Sequence, residues 1–113
     1  MKIAIPTDDG IMLSASVKNP KGYLIFTIKG GEILNEELRW NKLSDVLTPE
    51  FGELHNLMDC SRIIVNFASE KIQQFFISNQ IEVILTKEVI ITRAIMEFLN
   101  KTLLRESNTS CSP

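Results

Sequence analysis

Hydrophobic positions along this chain fall into two kinds of run. Residues 62–67 and 81–85 are short, rich in Ile and Val, and bounded by polar residues, as strands that are apolar on both faces must be. Between and after them the spacing changes to a helical one. Ser69 is placed to cap a helix whose inner face is Ile72, Phe75 and Phe76. Thr86 is placed to cap another, with Ile91, Ala94, Ile95 and Phe98 inward and Arg93, Glu97 and Lys101 outward. Strand, helix, strand, helix over residues 60–104 predicts a right-handed parallel crossover, and the rest of the chain is organised around it.

The first half reads as three more strands. Residues 2–6 form a short apolar strand stopped by Pro6. Residues 23–28 and 32–40 flank Lys29-Gly30-Gly31, a tight hairpin turn in which glycine supplies positive φ. The second arm alternates, with Leu34, Leu38 and Trp40 on one face and Asn35, Glu37 and Arg39 on the other. That pattern predicts a strand with one wet face at the sheet edge. Thr48-Pro49-Glu50 marks a helix start, and the helix is expected to run to Asp59 with Phe51, Leu54 and Met58 on its apolar stripe. Residues 105–113 carry no apolar anchor and read as a disordered tail after a single domain over residues 1–104.

Composition narrows the class. A net charge of −2 with both signs scattered argues against a nucleic-acid footprint. No apolar run approaches the roughly 18 residues of a membrane span. The N-terminus reads as a strand, not a signal peptide, and Cys60 and Cys111 read as reduced thiols, so a cytoplasmic location is expected.

Candidate chemistry is sparse. His55 is the single histidine, and its separation from Cys60 turns about 500° on a helix of about 3.6 residues per turn, so the two do not face one another unless the helix ends between them. His55 is favoured as a residue at the rim of a packed helix, with a metal-ligand role as the alternative. Asp8 and Asp9 follow the first strand, where α/β sheets place their sites, yet two adjacent carboxylates without a third make a poor cation cage and serve a turn more economically. The turn at Ala68-Ser69-Glu70 is no phosphate cradle, because Glu70 repels an anion at that helix start. With no nucleophile and base set up together, an enzyme is disfavoured.

The opening Ile3-Ala4-Ile5-Pro6-Thr7 with Gly10, then the apolar hairpin through Gly30-Gly31, then the segments at 55–65 and 80–86, in this order and length, resemble the dinitrogenase iron–molybdenum cofactor biosynthesis family over residues 1–104. The resemblance implies a ribonuclease H-like α/β fold: three layers, a mixed five-stranded sheet in the order 3-2-1-4-5, and strand 2 antiparallel to the rest. It also implies a small non-enzymatic binding or carrier domain related to nitrogen fixation. The working loops are then residues 7–21 and 66–70, with Thr7, Asp8, Asp9, Gly10, Ser14, Ser16, Asn66 and Ser69 as cofactor-binding candidates and His55 and Cys60 as metal candidates. The ligand is an iron–molybdenum or related metal cluster, or none. The alternative is an interaction or regulatory module on the same fold, without the cluster site and with a protein as partner. Ser14-Ala15-Ser16-Val17-Lys18 stands where family members carry a Ser-Pro-His-Phe-Gly-like stretch, and Asn66-Phe67-Ala68-Ser69 replaces a glycine-rich turn.

Overall fold

The structure, a computed structural model, describes residues 1–15, 20–40 and 57–101 together with the helical backbone of 102–111. Five strands, β1 (Lys2–Thr7), β2 (Gly22–Lys29), β3 (Glu32–Trp40), β4 (Arg62–Val65) and β5 (Glu82–Leu85), form one sheet in the order β3-β2-β1-β4-β5. Helix α1 (Glu70–Ser78) connects β4 to β5, and α2 (Ile91–Cys111) follows β5. β2 pairs antiparallel with both β1 and β3, whereas β1, β4 and β5 are mutually parallel. Order and strand sense are those the family resemblance implies.

Each face of the sheet carries its own core. Ala4, Tyr23, Ile25, Ile63 and Val65 face α1 and pack with Ile72 and Phe76. Ile3, Ile5, Phe26, Ile28 and Ile64 face α2 and pack with Ile91, Ala94, Ile95 and Leu99. The layers are therefore helix, sheet, helix, and each large side chain removed from water contributes roughly 1.5–3 kcal/mol. The hairpin turn stands where the glycines put it, with φ of 61° at Gly30 and 79° at Gly31.

Four local boundaries differ from the sequence reading, each for a physical reason. β1 runs through Pro6 to Thr7, because its ladder with β4 involves only Ile3 and Ala4, so the missing N–H of Pro6 leaves no bond unmade there. β4 stops at Val65 because the Asn66 side chain turns away to bond the next loop. Thr86 does not cap α2, which starts at Ile91, since residues 87–90 are spent docking against residues 11–13. α2 continues to Cys111, past Leu104 where a disordered tail was expected to begin. The helix expected over residues 48–59 falls largely outside the described residues, as does His55. Leu57, which is described, is buried in the α1-side core.

Candidate functional site

Parallel β1, β4 and β5 end on the same edge of the sheet, so the loops that follow them, residues 8–15, 66–69 and 86–90, are neighbours. The first loop is braced from within. The buried Thr7 hydroxyl donates to the Met12 carbonyl at 2.7 Å and accepts from the Gly10 N–H at 2.8 Å. Gly10 has φ of 83°, which a side chain would strain. Asp9 Oδ1 accepts from the N–H groups of Met12 at 2.9 Å and Ile11 at 2.8 Å, and these bonds, Met12's above all, hold its carboxyl below the ordinary carboxylate range. Asp8 closes the base of the loop by accepting from the Ser14 hydroxyl at 3.2 Å and the Lys21 N–H at 3.0 Å.

The second and third loops are tied to the first. Asn66 Nδ2 donates to the carbonyls of Thr86 at 3.0 Å and Glu88 at 2.8 Å. The Leu13 N–H donates to the Val89 carbonyl at 2.8 Å, and the Ile91 N–H to the Ile11 carbonyl at 2.9 Å. Thr86 is buried; its hydroxyl donates to Glu97 Oε1 at 3.0 Å and accepts from the Glu88 N–H at 3.1 Å. Ser69 caps α1 as expected, accepting from the Ile72 N–H at 3.3 Å.

The structure thus brings Thr7, Asp8, Asp9, Gly10, Ser14 and Asn66 into one network and places Ser69 at its rim, while Ser16 lies outside the described residues. It does not bring Cys60 to them. Cys60 precedes β4, beside Ser61 whose N–H donates to the Lys2 carbonyl, and so lies at the opposite edge of the sheet. It is buried, with Sγ 3.7 Å from Asp59 Oδ1. Burial above all, and then the negative charge of Asp59, push its thiol up to about 12, which disfavours the thiolate form that a metal ligand must take. Among the described residues no group of three or more His, Cys, Asp or Glu side chains could hold a metal ion.

Sequence reasoning also missed a charge network that joins β3 to the approach to β4. Arg39 makes paired bonds to Asp59 at 2.8 and 2.7 Å and to Glu37 at 3.1 Å, and Lys2 reaches Asp59 at 3.2 Å. The Arg39 guanidinium, and behind it Lys2, hold the Asp59 carboxyl well below its ordinary range. The signal was present in the polar face of β3, but its partner at position 59 is distant in sequence.

The chain matches no protein-family model and no curated protein sequence. Solved structures do match. The crystal structure of PH0822 superposes with a TM-score of 0.75 at 20% identity, covering 89% of this chain and 90% of that one. A Methanocaldococcus jannaschii protein provisionally described as a dinitrogenase (MJ0327) gives 0.71 at 24% identity, with 89% of each chain covered. A Thermotoga protein provisionally described as NifB and placed in the DUF35 family (TM1290) gives 0.68 at 17% identity, covering 86% of this chain and 85% of that one. What these likenesses establish is a shared fold spanning nearly the whole of both partners.

Proposed function

We propose that this chain is a small non-enzymatic binding domain with a role in iron–molybdenum cofactor biosynthesis, and that it works through the loops of residues 7–21 and 66–70. The observation that carries the reading is the fold likeness, over nearly nine-tenths of both chains, to proteins described as dinitrogenase-like and NifB-like. The braced loops support it, because a rigid edge presents a preformed surface without setting a nucleophile against a base.

The described donors do not suit a cluster that takes thiolate or imidazole ligands. Asp8 and Asp9 are hard oxygen donors already engaged with backbone N–H groups, and the Cys60 thiol is buried at the far edge. This donor chemistry favours a second reading, an interaction or regulatory module on the same fold. Anaerobic titration of the purified protein with isolated iron–molybdenum cofactor, followed by gel filtration and metal analysis, separates the two. Iron and molybdenum co-eluting in stoichiometric amount support a carrier. Protein eluting free of metal supports the interaction module.

A further inference from the structure

The two outer strands of the sheet are unequal. β5 closes one side with four residues, whereas β3 closes the other with nine. Among the described residues no strand pairs with the outer side of β3, so about half of its backbone N–H and C=O groups point away from β2. Proline and lysine, which commonly guard such an edge, do not occur in it. The irregularity in its ladder with β2 lies between Ile33 and Asn35, and residues 35–40 pair without a break. In that regular stretch Leu38 is 40% exposed and Trp40 53%. Leu38 opposes Leu24, which packs against the α2-side core, so Leu38 and Trp40 lie on that face and Glu37 and Arg39 on the other.

We infer that β3 pairs antiparallel with β3 of a second copy of this chain, about a twofold axis through Leu38, so that the two sheets join into one. A twofold axis normal to the sheet sets opposite one another only residues on the same face, so it passes through a residue and not between two. The order of side chains along β3 then selects which residue. An axis through Glu36 or Glu37 opposes carboxylate to carboxylate, and one through Arg39 opposes guanidinium to guanidinium. An axis through Asn35 runs into the irregular stretch and sets Trp40 against the partner's Gly30, in the hairpin turn. Through Leu38 the match is good on both faces. The two Leu38 side chains meet, each Trp40 lies diagonally across from the partner's Leu38, and each Glu37 faces the partner's Arg39. The two Glu36 carboxylates then stand about 13 Å apart along the ladder, beyond a Debye length. Asp59 and Lys2, the charged groups beside Arg39, offset one another at 3.2 Å. The paired bonds to Asp59 also hold Arg39 in place beforehand, which lowers the ordering cost of association.

One strand edge is a small interface, so the dimer is of the weak, concentration-dependent kind. Sedimentation equilibrium of the full chain over about 5–500 µM should show monomer giving way to dimer. Leu38→Lys sets two ammonium groups on the axis, and Glu37→Lys sets an ammonium against the partner's Arg39. Each should raise the dissociation constant at least about tenfold. Both positions are exposed, so the circular dichroism spectra should be those of the wild type. Register is read by oxidising single-cysteine variants in a Cys111→Ser background, where the remaining Cys60 is buried. Leu38→Cys should give a disulfide-linked dimer, because residues on the axis have Cα atoms about 4.5–5.5 Å apart. Glu36→Cys and Glu37→Cys lie off the axis, about 8 Å or more from their copies, and should link far more slowly. A chain that stays monomeric to about 500 µM, lysine variants that dimerise as the wild type does, or faster linking at position 36 or 37 than at 38 would each overturn the inference.

Discussion

Asn66 is the keystone of the C-terminal edge, and replacing it tests whether the three loops form one unit. Its amide group donates twice, to the carbonyls of Thr86 and Glu88 at 3.0 and 2.8 Å. Asn66→Ala removes both donors. Each such bond contributes about 1 kcal/mol net, so the loss is about 2 kcal/mol if the carbonyls stay dry and nearer about 1 if water reaches them at this half-buried position. Asn66→Asp should be worse at neutral pH, because a carboxylate without a proton faces two carbonyl oxygens. The two variants then separate with pH. As pH falls the introduced carboxyl is protonated and can donate one bond, so the deficit of the aspartate variant shrinks, whereas that of the alanine variant does not. Urea unfolding followed by circular dichroism gives the midpoints, and in thermal unfolding about 1 kcal/mol corresponds to roughly 4–8 °C for a domain of this size. An aspartate variant as stable as wild type at pH 7, or an alanine variant within about 0.3 kcal/mol of it, would mean that the loops are held by something other than this amide.

Three further outcomes follow from the geometry. Gly30→Val with Gly31→Val should cost on the order of 2 kcal/mol in urea unfolding, through forced positive φ at β-branched residues, whereas Gly30→Asn should cost far less; an unchanged midpoint for the valine pair would show that the turn tolerates them. Gly22→Ala places a methyl 2.6 Å from the Arg39 carbonyl oxygen and 2.7 Å from Trp40 Cε3, so the outer end of the β2–β3 ladder must part. The expected cost is about 1–3 kcal/mol with a change in Trp40 emission, and an identical spectrum and melting curve would contradict the close packing. In a Cys111→Ser background, Cys60 should resist a thiol-specific disulfide reagent at pH 8 in the native state and react at once in urea. Because burial raises its pKa from 9.0 to about 12, the stability it contributes is present in full below pH 9 and declines as pH rises toward 12. Prompt native-state reaction would show the thiol to be accessible.

Strands were legible because their signals are local. Ile and Val runs marked β4 and β5, paired glycines marked the turn between β2 and β3, and the apolar spacing of Ile72, Phe76, Ile91, Ala94 and Ile95 oriented both helices. Boundaries set by distant partners were not legible. Thr86 reads as a cap in isolation, but its hydroxyl is claimed by Glu97 and Glu88, and α2 waits until the chain has docked against residues 11–13. The edge loops were legible as a place and not as chemistry. Asp8, Asp9 and Asn66 were singled out for binding, yet their polar atoms are used to brace the loops, while the exposed Ile11, Phe67 and Val89 carry no sequence motif.

The paired bonds between Arg39 and Asp59 have a consequence for the exposed edge of the sheet. They fasten the end of β3 to the approach to β4, positions 20 residues apart in sequence. β3 is an edge strand, so its Trp40 end is held by the ladder with β2 and by this two-point ion pair, and it cannot peel from the sheet without breaking both. Salt, which weakens exposed ion pairs, therefore loosens this corner of the sheet before it touches either core.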